Sequence, residues 1–238
     1  MSSIAALQQM KRDGKKIVGV VAWDYHIAQI AERAGVDLVS VGDSVGVNLW
    51  GHASEDEITL EEMLVVCKAV RRGVKRALLS CDLPAKYGVD AAKRLLDEGG
   101  AQMIKLEGPA QAVRELVRAG IRVFAQFDGK GISAEELVAR ARGLERAGAS
   151  LLDFRRSGPE AGAAVVRAVS IPVIGGLGGG PWLDGRIRMA HAAIGYAASS
   201  IDSAAESYAN VARVTLDALS AYAKDVRAGR QIKGSRPA

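Results

Sequence analysis

Along this chain, short apolar runs alternate with stretches in which apolar residues recur every three or four positions. Residues 16–22 (KIVGVVA) form a β-branched run, and residues 26–35 (HIAQIAERAG) have helical spacing closed by a glycine. The alternation then repeats. Further strands are expected at 36–42, 76–81, 101–107, 121–127, 149–154 and 171–176, and further helices at 59–73, 90–100, 111–120, 133–148 and 160–170. Thr59 with Glu62, and Ser133 with Glu136, have the spacing of capping boxes, so two helices carry their own start signals. An eighth strand is expected near 186–191 (RIRMAH), a segment equally able to start a helix. Residues 202–228 read as one or two terminal helices and 229–238 as a disordered tail.

Apolar runs without strict alternation belong to strands buried on both faces, hence to a parallel sheet covered by helices. Repeated strand-then-helix units over 238 residues favour a closed sheet over an open one. The expected fold is α/β, a single (β/α)8 TIM barrel spanning 1–238 with helices at its C-terminal end. No linker or low-complexity tract divides it.

Composition narrows the function. No leader pattern or apolar run of roughly 20 residues is present, so a soluble cytoplasmic protein that neither spans nor binds a membrane is expected. Cys67 and Cys81 form no CxxC pair and read as reduced thiols. The net charge of +5 is scattered through KRDGKK, RRGVKR and RIR without interleaved aromatics, which argues against nucleic acid and suits an anionic small substrate.

The chemistry-bearing residues collect where strands end, which in a barrel is where active sites sit. The second strand runs into Gly42-Asp43-Ser44, and the third into Cys81-Asp82-Leu83-Pro84. In the fourth, Lys105 and Glu107 are two apart and share a face. Three carboxylates and one ammonium thus converge from adjacent strands, and like charges in a buried site need a cation between them. Oxygen ligands without a histidine or cysteine cluster suit Mg2+. Asp43, Asp82 and Glu107 are therefore the candidate metal ligands, with Ser44 bonding the substrate. His26, His52 and His191 lack zinc spacing.

The same stretches carry a resemblance. AWDYHIAQIAERAGVDLVSVGDSVGVNLWGHASEDEITLEEM, then AVRRGVKRALLSCDLP and GGAQMIKLEG, resemble ketopantoate hydroxymethyltransferases, a family of the phosphoenolpyruvate/pyruvate barrel superfamily. The match runs from about 16 to 123 and returns in IPVIGGLGGG and YAKDVRAGR. It implies Mg2+-dependent, aldol-type transfer of a hydroxymethyl group from 5,10-methylenetetrahydrofolate to the 2-oxo acid 3-methyl-2-oxobutanoate, a step of pantothenate biosynthesis. By position it implies metal roles for Asp43, Asp82 and Glu107, and 2-oxo acid contacts for Asp43, Ser44, Asp82 and Lys105. It also implies a homo-oligomer.

The second half departs from that pattern. Gln126, in AQFDGKGIS, stands where the family has a histidine. In LLDFRRSGPE a gapless match places Arg155 at the family's general-base glutamate, and a two-residue gap places Asp153 there. Arginine cannot accept a proton near neutral pH, so either Asp153 takes that task, or the base comes from elsewhere, or proton abstraction is no longer the reaction; Asp153 and Lys105 are the candidate catalytic residues. Asp153 alternates poorly with its neighbours as an inward residue. Arg155 or Arg156 would suit a second carboxylate or a phosphate. Two alternatives stay open: a related enzyme that makes or breaks a C–C bond in another 2-oxo acid, and a barrel that has lost catalysis. The glycines of 174–185 (IGGLGGGPWLDG) are a phosphate cradle or a tight turn, and Trp182 a lid or a packing residue.

Overall fold

Eight parallel strands close on themselves in chain order in the computed structural model, which describes residues 2–230. They are β1 (Ile17–Val21), β2 (Leu38–Val41), β3 (Leu78–Asp82), β4 (Met103–Glu107), β5 (Val123–Asp128), β6 (Leu151–Arg155), β7 (Val173–Gly175) and β8 (Gly185–Met189). The helices of this unit are α1 (Ile4–Arg12), α2 (Tyr25–Ala34), α3 (Leu60–Gly73), α4 (Val89–Asp97), α5 (Ala110–Arg118), α6 (Ala134–Arg146) and α7 (Pro159–Ala168). The expected (β/α)8 barrel is present. The eighth strand pairs with β7 on one side and β1 on the other, and ends at Met189, where a helix takes over. A glycine-rich turn without a helix joins β7 to β8.

Both expected capping boxes form. The Thr59 hydroxyl accepts the Glu62 N–H at the start of α3, and Ser133 accepts the Glu136 N–H at the start of α6. Each strand sends alternate side chains inwards and outwards. Outward residues such as Leu79, Ile104, Leu152 and Phe154 pack under the helices in the larger core. Inward residues at the start of the strands (Leu38, Leu78, Met103, Phe124 and Leu151 among them) fill the lower barrel. Leu7 completes this layer from α1, a helix the apolar pattern did not announce because Leu7 is its one buried residue.

The inward face changes character towards the C-terminal ends. Leu78 is followed by Ser80 and Asp82, Met103 by Lys105 and Glu107, Phe124 by Gln126 and Asp128, and Leu151 by Asp153 and Arg155. Apolar floor, polar middle and charged rim therefore recur strand after strand.

The chain forms two compact units, meeting in sequence between Met189 and Ala190. The second contains α8 (Ala190–Ala193), a short 3-10 turn and α9 (Val211–Arg227). One terminal helix is thus present where one or two were expected over 202–228. Residues before it are held by Asp202–Arg213 (2.5 Å) and by Asn210, whose amide caps α9. Gly229 and Arg230 close off α9, and the rest of the expected disordered tail, 231–238, lies outside the described residues. Among the described residues no helix is long and apolar enough to cross a membrane.

Glu32 fastens the end of α2 to the start of β3. Its carboxylate accepts the Arg76 N–H (2.8 Å), Arg76 Nε (2.9 Å) and the Ala77 N–H (3.1 Å). Burial opposes its charge, but these bonds prevail and bring the carboxyl down to about 2. A depressed carboxyl stabilises the fold above its unfolded pKa, and the effect fades as pH falls towards the folded one. Glu32→Gln should therefore lose about 1–3 kcal/mol at pH 7 in urea denaturation, with a smaller gap at pH 3. An equal gap at both pH values would contradict this assignment.

Candidate active site

The centre of the barrel mouth is an ammonium between two carboxylates. Lys105 on β4 lies 3.3 Å from Asp82 Oδ2 on β3 and 3.4 Å from Asp153 Oδ2 on β6. All three are buried, Asp153 to 2 % exposure. Asp153 is thus an inward residue, contrary to the alternation argument. Its sequence neighbours Leu152 and Phe154 are apolar because helices cover the barrel's outer face, and that erases the period-two signal. Its second oxygen accepts the Gly176 N–H from the β7 end (3.0 Å).

Beneath Asp82 runs a hydroxyl relay that the apolar pattern of the strands did not announce. Ser80 Oγ donates to Ser40 Oγ (2.8 Å), which lies 3.5 Å from Asp82 Oδ1. Both serines are fully buried in β3 and β2. A serine inside an apolar strand was the available signal.

Asp43 and Ser44 stand on the turn after β2. A Cβ on Gly42 would lie 3.8 Å from Asp82 Oδ2 and 3.1 Å from Ser44 Oγ, so this turn abuts the buried carboxylate closely. The chain then winds into a single π-helical segment, Gly46–Trp50, of the kind frequent at functional sites. Ser44 Oγ also lies 3.7 Å from Met189 Sδ at the end of β8.

Electrostatics follow from this crowding. Burial pushes the Asp82 carboxyl up to about 7; Lys105 pulls it back, and the charges of Asp43 and Asp153 add to the rise. Burial also raises Asp43, against the pull of Lys105. Burial alone would lower the Lys105 ammonium, but Asp82, Asp153 and Asp43 outweigh it and hold the proton on. Glu55, in the loop after β2, is raised by burial and then by Asp43, which brings a further carboxylate under the influence of this mouth.

Glu107 goes elsewhere. Its side chain is 52 % exposed, accepts the Gln126 amide and lies 3.5 Å from Arg155 Nη1. The structure therefore brings Asp82, Lys105 and Asp153 together, places Asp43 and Ser44 beside them, and leaves Glu107 on the rim. Among the described residues no three His, Cys, Asp or Glu side chains are gathered as a ready metal cage. Asp128 at the end of β5, also unforeseen, pairs with Arg156 through both guanidinium edges (Nε to Oδ1, 2.9 Å).

The remaining candidates resolve as packing. Trp182 Nε1 donates to Ser157 Oγ (2.7 Å), and the indole lies against Gly162 of α7. In the glycine turn, the Gly176 N–H serves Asp153, and a Cβ on Gly178, which sits at φ 70°, would lie 3.0 Å from Arg156 Cα. His52 pairs with Glu62 (3.3 Å). The cysteines are free and buried.

The family model for ketopantoate hydroxymethyltransferase matches residues 2–231. The chain is 36 % identical to a 3-methyl-2-oxobutanoate hydroxymethyltransferase from Cyanothece sp., covering 98 % of each chain. It is 35 % identical to one from Alkalilimnicola ehrlichii, covering 95 % of this chain and 91 % of that one. Among solved structures it resembles 2,3-dimethylmalate lyase, with TM-score 0.67 and 18 % identity over 100 % of this chain and 92 % of that one. It also resembles phosphonopyruvate hydrolase in complex with oxalate and Mg2+, with TM-score 0.65 and 16 % identity over 97 % and 89 %. These two are likenesses of fold. By the match over nearly its whole length, the chain belongs to the ketopantoate hydroxymethyltransferase family of enzymes.

Proposed function

We propose that this enzyme carries out Mg2+-dependent, aldol-type chemistry at C3 of a 2-oxo acid. In its family form this is hydroxymethyl transfer from 5,10-methylenetetrahydrofolate to 3-methyl-2-oxobutanoate, in pantothenate biosynthesis. The observation that carries the reading is Lys105, buried between Asp82 and Asp153 at the mouth of the barrel. A buried ammonium beside partly compensated carboxylates is a place for an acid whose negative charge moves during reaction.

The donor set fits a hard divalent cation. Asp43 and Asp82 are two crowded carboxylates whose ionisation burial opposes, so a cation between them relieves both. One or two carboxylates suffice for Mg2+, which keeps water and takes substrate oxygens for the rest. Asp43 and Asp82 would hold the ion, and Glu107, tied to Gln126 and Arg155, is not needed as a ligand. Bound there, Mg2+ supplies Lewis-acid polarisation of the 2-oxo group.

The chain's own groups do the rest. Lys105 Nζ balances the charge that develops on the substrate oxygens. Ser44 Oγ, on the turn after β2, hydrogen-bonds the acid. Asp153 is the carboxylate nearest Lys105 that the metal does not claim, and its Oδ2 accepts the C3 proton while Gly176 and Lys105 fix its position. The Ser80–Ser40 relay orients Asp82 from below.

A second form has its own support. Gln126 and Arg155, rather than histidine and glutamate, line the β5 and β6 ends, which favours a related C–C lyase or transferase acting on a different 2-oxo acid. A barrel without catalysis has no comparable support, since buried charges are retained here that apolar residues would replace without loss of stability.

Titration calorimetry tests the metal site. Wild-type enzyme should bind a 2-oxo acid in the presence of Mg2+, and Asp43→Ala should weaken this by roughly tenfold or more with little change in melting temperature. Unchanged affinity in Asp43→Ala would remove Asp43 from the metal site. Lys105→Met leaves two buried carboxylates without their shared cation. It should lose about 3 kcal/mol or more in denaturant unfolding, together with 2-oxo acid binding. Wild-type stability in that variant would show that the ion pairs are not formed in solution.

A further inference from the structure

Strands β2 and β3 are in register at Leu38 and Leu78, then two residues on at Ser40 and Ser80. Leu38 and Leu78 belong to the apolar floor of the barrel. One layer up, the two serines lie side by side and fully buried, joined by the 2.8 Å bond between their hydroxyls. A buried hydroxyl costs stability unless it is bonded, and a second pair of apolar side chains would fill this layer without that cost. The reason for the serines lies in the layer above them.

There β3 carries Asp82, while β2 has run into Gly42, which has no side chain. A Cβ on Gly42 would stand 3.2 Å from Val21 Cγ1 and 3.8 Å from Asp82 Oδ2, so the carboxylate lies beside the room this glycine leaves. Its two oxygens have different neighbours. Oδ2 faces the Gly42-Asp43 turn and lies 3.3 Å from Lys105 Nζ. Oδ1 lies 3.5 Å from Ser40 Oγ, a long hydrogen bond. An ionised carboxylate only accepts, so the Ser40 proton goes to Oδ1 and the Ser80 proton to Ser40. Donor direction is thus fixed from β3 to β2 and back to β3.

A carboxylate holds a cation through one oxygen or through both, and the second mode would require Oδ1 to leave Ser40. We infer that Ser40 and Ser80 are positioning residues that confine Asp82 to one oxygen, Oδ2, towards a divalent cation and so set a preference for Mg2+ over Ca2+. Mg2+ demands a small, regular octahedron, whereas Ca2+ takes more oxygens in looser geometry and readily uses both oxygens of a carboxylate. This rests on the metal site proposed above and specifies how that site chooses its ion.

The test uses the electron paramagnetic resonance signal of free Mn2+, which is lost on binding. The full chain is loaded with Mn2+ and titrated with Mg2+ or Ca2+, and wild-type enzyme should release Mn2+ at lower Mg2+ than Ca2+. Ser40→Ala/Ser80→Ala removes both hydroxyls together, so neither is orphaned and the fold should hold. In it the preference for Mg2+ should shrink by roughly tenfold. Ser80→Ala, which keeps the Ser40 hydroxyl, should fall between the two. A Mg2+-to-Ca2+ ratio unchanged in the double variant, whether both ions bind as before or both more weakly, overturns the inference and leaves the metal site standing. If the double variant does not fold, an unchanged ratio in Ser80→Ala overturns it instead. If wild-type enzyme binds no Mn2+, the metal site fails and this inference with it.

Discussion

Lys105 is the constraint on which the mouth of this barrel depends. Its ammonium lies inside the sheet, and its partners come from β3 on one side and β6 on the other, so one cation ties strands that do not pair with each other. Removing an ammonium from water is tolerable only with close counter-charges, and Asp82 and Asp153 supply them. Each then needs support of its own. Asp82 rests on the Ser40–Ser80 relay, and Asp153 on the Gly176 N–H. Buried ion pairs are a poor means of stabilising a fold, and an apolar layer like the one immediately below would serve that purpose as well. What they provide is preorganised charge at the mouth of the barrel.

Much of this was legible in the order of residues. Seven strands announced themselves because a sheet covered on both faces demands continuous Val, Leu and Ile, and α3 and α6 because Thr59 and Ser133 carry glutamates three residues on. The pairing of charge with strand ends located Asp43, Asp82 and Lys105. Other features were hidden for physical reasons. Helix α1 buries a single leucine, too little for a periodic signal. The direction of Asp153 was masked by apolar neighbours on both sides. Glu107 does share the face of Lys105, but two residues of rise carry it up to Gln126 and Arg155, partners from other strands that no local pattern reveals.

The rim above Lys105 is where this chain acquires its own character. Arg155 and Arg156 divide two carboxylates between them, Arg156 closing on Asp128 and Arg155 on Glu107. On the opposite side, the π-helical turn after Asp43 and Ser44 brings Glu55 within electrostatic reach of the site. The floor of the barrel is thus apolar, and charged groups gather in its middle and at its rim.

The most direct measurement is proton NMR of 3-methyl-2-oxobutanoate and of 2-oxoglutarate in D2O with enzyme, with and without Mg2+. The account predicts Mg2+-dependent loss of the C3 proton signal from a 2-oxo acid, abolished in Asp153→Asn. Persistence of the C3 signals in both acids, under conditions where binding is detected, would contradict it and leave the site as a binder of 2-oxo acids without proton abstraction.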